Sequence, residues 1–125
     1  MTIKNVPRGT SLRKEEQELI TIFEWIDLHK DICNHFLHVP NEGKRSYYLG
    51  KILKRMGLRK GVSDILGLIP RGKYHGICIE HKTIEGKPTA EQLHFIDNQN
   101  AAGYFAKITY GVDDAIDTIR WYINL

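Results

Sequence analysis

The spacing of apolar positions divides the chain into eight segments. Leu12, Leu19, Ile22, Phe23 and Ile26 recur at three, four and seven residues, which predicts an amphipathic helix over about 11–30. Ser11 is a candidate cap, with Glu15 and Glu16 in the first turn near the positive end of the helix. Phe36, Leu37 and Val39 predict a short strand, stopped by Pro40, Asn41 and Gly43. Residues 44–56 read as a second helix with Tyr48, Leu49, Ile52, Leu53 and Met56 on its apolar side and Gly57 as its stop. The β-branched and apolar content of 62–69 and 74–82, separated by Pro70-Arg71-Gly72-Lys73, predicts an antiparallel hairpin. After a break at Gly86-Lys87-Pro88, Thr89 reads as the cap of a helix reaching Ala102. A strand over 104–110 and a helix over about 113–123 follow, the latter with Ala115, Ile116, Ile119 and Tyr122 or Ile123 at helical spacing. The order α-β-α-β-β-α-β-α predicts an α/β fold, a small mixed sheet flanked by helices.

Composition narrows this picture. A chain of 125 residues suits one domain, expected over 11–125 behind a loose, flexible arm at 1–10. With 42% hydrophobic residues it can bury a core, which excludes wholesale disorder. No apolar run approaches the roughly 20 residues of a membrane helix, so no membrane role is expected. The polar start with Pro7 and Gly9 does not read as a secretory signal, and Cys33 and Cys78 cannot make a disulfide framework. A reduced, cytoplasmic setting is the expectation.

The net charge of +3 conceals an uneven distribution. Nine basic residues (Lys44, Arg45, Lys51, Lys54, Arg55, Arg59, Lys60, Arg71 and Lys73) and a single acid, Asp64, lie between Gly43 and Ile79. The rest of the chain is net acidic, with 9 basic and 14 acidic residues. Such a block is the electrostatic footprint of a polyanion partner, although a solvated helix face produces the same pattern.

Chemistry concentrates in Asp64 and the run Glu80-His81-Lys82. Side chains alternate along a strand, so Glu80 and Lys82 share one face and His81 takes the other. If the two predicted strands pair, Asp64 comes close to Glu80. Two converging carboxylates make a hard oxygen site suited to Mg²⁺ or Mn²⁺, with Lys82 placed to orient water or offset developing charge. The alternative is an exposed cross-strand pair of little energetic weight. Burial of the preceding Ile77-Cys78-Ile79 favours the site, because a carboxylate at the end of a buried strand needs a partner.

Two other patterns are decoys. Gly67-Leu68-Ile69-Pro70-Arg71-Gly72-Lys73 has phosphate-loop spacing, but Tyr74 replaces the hydroxyl residue and a strand follows where a helix is required. Cys33, His35 and His38 have C-x-H-x-x-H spacing, yet a strand separates the two histidines to opposite faces.

Several segments together resemble the VRR-NUC family of the PD-(D/E)xK nuclease superfamily, in its short stand-alone phage and bacterial form. They are His38-Val39-Pro40-Asn41-Glu42-Gly43-Lys44-Arg45, Gly61-Val62-Ser63-Asp64-Ile65-Leu66, Gly76-Ile77-Cys78-Ile79-Glu80-His81-Lys82, Pro88-Thr89-Ala90-Glu91-Gln92, and Ala102-Gly103-Tyr104 with Tyr110-Gly111. The resemblance spans about residues 11–119 in conserved order of motifs. It implies a metal-dependent DNA endonuclease, with stand-alone members resembling Holliday-junction resolvases and forming homodimers. It further implies Asp64, Glu80 and the His81 backbone carbonyl as metal ligands, Lys82 as the catalytic lysine, and Gln92 as a residue ordering the site. A first-helix glutamate is also implied. Counting back from Trp25 gives Glu15, with Leu19 where the family often has Gln; Glu16 is the alternative. Lys44, Arg45, Lys51, Lys54, Arg55, Arg59 and Lys60 are the expected DNA contacts, reading backbone and shape. A catalytically silent DNA-binding module and an RNA-acting nuclease remain rival readings.

Overall fold

A computed structural model describes residues 3–9, 11–40 and 46–125 of the chain. The elements follow the expected order: α1 (Lys14–Asp27), β1 (Phe36–His38), α2 (Tyr47–Arg55), β2 (Ile65–Gly67), β3 (Ile77–Lys82), α3 (Ala90–Ala101), β4 (Phe105–Tyr110) and α4 (Val112–Ile123). The four strands form one sheet in the order β1-β2-β3-β4. β1 pairs with β2 and β2 with β3 antiparallel, whereas β3 and β4 run parallel, joined by the α3 crossover. The mixed α/β architecture expected from the apolar pattern is therefore present.

Helices cover both faces of the sheet. α1 and α4 pack together on the face of Ile77 and Ile79, and α3 packs on the face of Cys78. Ile22 and Ile26 of α1 and Ala115, Ile119 and Tyr122 of α4 are buried against Ile65, Ile77 and Ile79. The Tyr122 hydroxyl donates to the Ile69 carbonyl at 2.7 Å, so this large buried ring keeps its polar tip satisfied. A smaller cluster, Cys78, Ile96 and Ala106, seals α3. The main core thus lies under α1 and α4 and fixes α1 over β3, which decides where the first-helix acids end up.

Three local expectations are corrected. Ser11 does not cap α1. Arg13 takes that place, and the Glu16 carboxylate accepts from its backbone N–H at 2.9 Å and its Nε at 3.1 Å. The strand expected over 62–69 is reduced to three residues, because Val62, Ser63 and Asp64 precede the ladder. The larger departure is α2. Its apolar side is largely uncovered among the described residues: Tyr48 is 79% exposed and Met56 76%, Leu53 is half-buried, and no residue of the helix is buried. Amphipathic spacing was sound there, but periodicity shows only that a face is apolar, not what covers it. Lys44 and Arg45 lie outside the described residues.

Candidate metal centre

The antiparallel register sets Ile65 opposite Ile79 and so brings Asp64, one residue before β2, alongside Glu80 on β3. Asp64 is held from several directions. Its backbone carbonyl accepts from Val39 N–H at 2.9 Å and meets His38 Nδ1 at 2.8 Å. Its Oδ2 accepts from the His81 backbone N–H at 2.9 Å. The approach to Asp64 passes Gly61, whose φ of +84° suits glycine and where a Cβ would run into the Glu91 carbonyl. That close approach presses the loop against the start of α3.

Glu15 joins the two strand carboxylates. One oxygen from each of Glu15, Asp64 and Glu80 lies within 4.8 Å of the others. This is near the roughly 4.2 Å that separates opposite ligands of an octahedral Mg²⁺. Glu16 is turned away to Arg13, which holds its carboxyl below the usual carboxylate range, so the geometry favours Glu15 of the two first-helix acids. Cys33, His35 and His38 do not gather: the three carboxylates are the one such cluster among the described residues.

The electrostatics of this trio are unfavourable without a cation. Glu80 is almost completely buried, and neither of its carboxylate oxygens meets a hydrogen-bond donor. Lys82 is also buried, and its Nζ stands 3.7 Å from Glu80 Oε2. Burial, and then the neighbouring Asp64 carboxyl, push the Glu80 carboxyl up to about 9 despite the lysine. The buried Glu80 oxygens, without a hydrogen-bond donor and beside two further carboxylates, fit a hard divalent cation such as Mg²⁺ or Mn²⁺.

Asp64 and Glu80 open onto a cleft of about 600 Å³, while Glu15 lines a smaller hollow on the other side of Asp64 with His38 and Pro40. Asp64 and Glu80 lie at the base of the larger cleft, Lys54, Arg59 and Lys60 on one wall, and Glu91 and Gln92 on the other. Gln92 also closes the start of α3: its Oε1 accepts from Thr89 N–H at 2.8 Å, while Thr89 Oγ1 accepts from Gln92 N–H at 3.2 Å. Lys51 and Arg55 are exposed on α2.

With this geometry in view, the comparisons are decisive about ancestry. The family model of the VRR-NUC domain matches residues 13–113. The chain belongs to the VRR-NUC family. A solved structure described as a "VRR_NUC domain protein" is similar over 93% of both chains, with 27% sequence identity and a TM-score of 0.81. Among curated proteins none matches the chain. The domain is thus of nuclease type, and its sheet and helices are consistent with the PD-(D/E)xK fold.

Two contributors escaped sequence reasoning. His38 supports the Asp64 main chain, and its only signal was its place in the quoted His38–Arg45 segment. Glu18 reaches the buried His81 ring. Its signal was present: Glu18 stands four and eight residues before the fully buried Ile22 and Ile26, so an acid occupies the inward stripe.

The raised Glu80 pKa makes a stability prediction. The ordinary value for the group is 4.5 and the folded value about 9, so the native state holds the extra proton across that window. The associated stability is fully present below pH 4.5 and is lost as pH rises through 9. Metal-free Glu80→Gln, which mimics the protonated acid, is expected to melt at least about 3 °C above wild type at pH 8 in EDTA, roughly 1 kcal/mol for a chain of this size. The gap should close toward pH 4.5, as thermal melts across pH will check.

Proposed function

We propose that this VRR-NUC protein is a divalent-metal-dependent endodeoxyribonuclease that hydrolyses phosphodiester bonds in branched DNA such as Holliday junctions. The observation that carries the reading is the buried Glu80 carboxylate, with no hydrogen-bond donor on either oxygen, converging with Asp64 and Glu15 beside Lys82. Those three carboxylates, with the His81 backbone carbonyl that the family pattern adds, would hold Mg²⁺ or Mn²⁺. Bound there, such an ion supplies Lewis acidity toward a phosphodiester oxygen and lowers the pKa of a coordinated water.

The chain's own groups do the rest. Lys82 presents an ammonium 3.7 Å from Glu80, where it can orient the attacking water or offset the negative charge that grows on the phosphoryl oxygens. Glu80 holds that ammonium nearby. Gln92 orders the start of α3, which forms the facing wall. Lys54, Arg59 and Lys60 line the opposite wall and suit phosphates of the strand passing through, with Lys51 and Arg55 extending the basic surface along α2. Contacts of this type fix register on the backbone without reading bases, which agrees with recognition of shape.

A homodimer is part of the same proposal. α2 leaves Tyr47, Tyr48, Ile52 and Met56 exposed together, an apolar face of a kind that marks an interaction site. Pairing through a two-fold axis would present two such centres to the two strands of a junction.

Cleavage of four-way, flap and linear DNA by the purified protein tests the activity. Asp64→Ala, Glu80→Ala and Lys82→Ala are each expected to lower the cleavage rate at least about 100-fold while circular dichroism stays native. EDTA should stop the wild type. Full activity in any of the three variants, or activity in EDTA, would refute the site. Binding without turnover in the wild type would identify a silent module, and preference for RNA junctions would identify the other rival.

Light scattering at micromolar concentration tests the assembly. The wild type should be a dimer, and the double substitution Ile52→Glu with Met56→Glu should be monomeric with an intact fold. A monomeric wild type would remove α2 from the role given to it.

A further inference from the structure

The imidazole of His81 has no part in the chemistry above, yet it is fully buried and has a specific partner on each nitrogen. It projects from the face of β3 opposite to Glu80 and Lys82, the face of Ile77 and Ile79. Its Nε2 lies 2.9 Å from Glu18 Oε1 on α1, and its Nδ1 lies 2.9 Å from Thr109 Oγ1 on β4. In the tautomer with its hydrogen on Nε2, that nitrogen donates to the Glu18 carboxylate and Nδ1 accepts from the Thr109 hydroxyl. A neutral ring thereby satisfies both nitrogens and gives the buried Glu18 its partner. Simple packing at this position needs none of this, since isoleucine serves at the two preceding positions of the same face.

One end of His81 reaches a site carboxylate, and the other reaches the helix that carries a second. Its backbone N–H donates to Asp64 Oδ2. Its ring holds Glu18, three residues after Glu15 on α1 and so on the same side of that helix. We propose that His81 is a positioning residue of the metal centre: the Glu18–His81–Thr109 clamp locks the first turns of α1 to the sheet and fixes Glu15 beside Asp64 and Glu80. The inference rests on the reading that these carboxylates hold a divalent cation. Groups that orient metal ligands from behind in this way set affinity, and losing one typically costs 10–100-fold.

Mn²⁺ binding to the full-length chain, followed by electron paramagnetic resonance, tests the clamp, with cleavage titrated against Mn²⁺ as a second readout. Glu18→Ala is expected to weaken Mn²⁺ binding about 10–100-fold. Its cleavage rate should recover toward wild type as Mn²⁺ is raised. Glu18→Gln should restore most of the affinity, because its side-chain carbonyl still accepts from Nε2–H. Thr109→Val, which keeps the shape of the side chain and removes the hydroxyl, provides a second variant should Glu18→Ala fold poorly; it too should bind Mn²⁺ more weakly. Wild-type affinity in Glu18→Ala or, in its place, Thr109→Val would overturn the clamp while leaving the metal reading intact. So would a Glu18→Gln variant as weak as Glu18→Ala. Absence of Mn²⁺ binding by the wild type would overturn the metal reading and the clamp with it.

Discussion

The structure turns on a repulsion. Three carboxylates, Glu15, Asp64 and Glu80, are gathered within 4.8 Å, and the most buried of them has no donor for either oxygen. Lys82, the nearby ammonium, stands 3.7 Å away and does not offset the burial, since the Glu80 carboxyl is still driven far above its ordinary range. A fold selected only for stability would not assemble such a group. The arrangement becomes favourable when a small, hard cation shares its oxygens, which ties the cost in the metal-free chain directly to the chemistry of the site.

The surrounding architecture holds the trio against that repulsion. Apolar packing of Ile22 and Ile26 under the sheet fixes α1, and with it the acids of its first turns. The antiparallel pairing of β2 with β3 fixes Asp64 beside Glu80, and the parallel pairing of β3 with β4 covers the other edge of the strand that carries Glu80. Gly61 allows the loop before Asp64 to lie against α3, and the capping pair Thr89 and Gln92 gives that helix a fixed start. Each restraint comes from a different element, so the centre depends on the whole sheet being in register.

Much of this was readable from residue order, for identifiable reasons. Strand alternation separates Glu80 and Lys82 from His81, and hairpin pairing carries Asp64 to Glu80; both follow from local geometry. The choice between Glu15 and Glu16 was not readable, because both lie in the first turn of α1. In the structure Glu15 joins the carboxylate cluster, whereas Glu16 meets Arg13. The partners of His81 were hidden for another reason: Thr109 is 28 residues away and Glu18 63, and no periodicity links them. On α2 the spacing shows an apolar side but not what covers it, and Tyr48 and Met56 stand exposed among the described residues. Sequence patterns show what a side chain needs and seldom what it meets.

The central claim is that Glu15, Asp64 and Glu80 together form one cation site. Anomalous diffraction from crystals of the protein soaked in Mn²⁺ addresses it most directly. The account predicts a single strong peak, or a closely spaced pair, bounded by oxygens of all three carboxylates. Crystals at full Mn²⁺ exposure with no peak between those side chains, or with manganese bound only elsewhere, would contradict it.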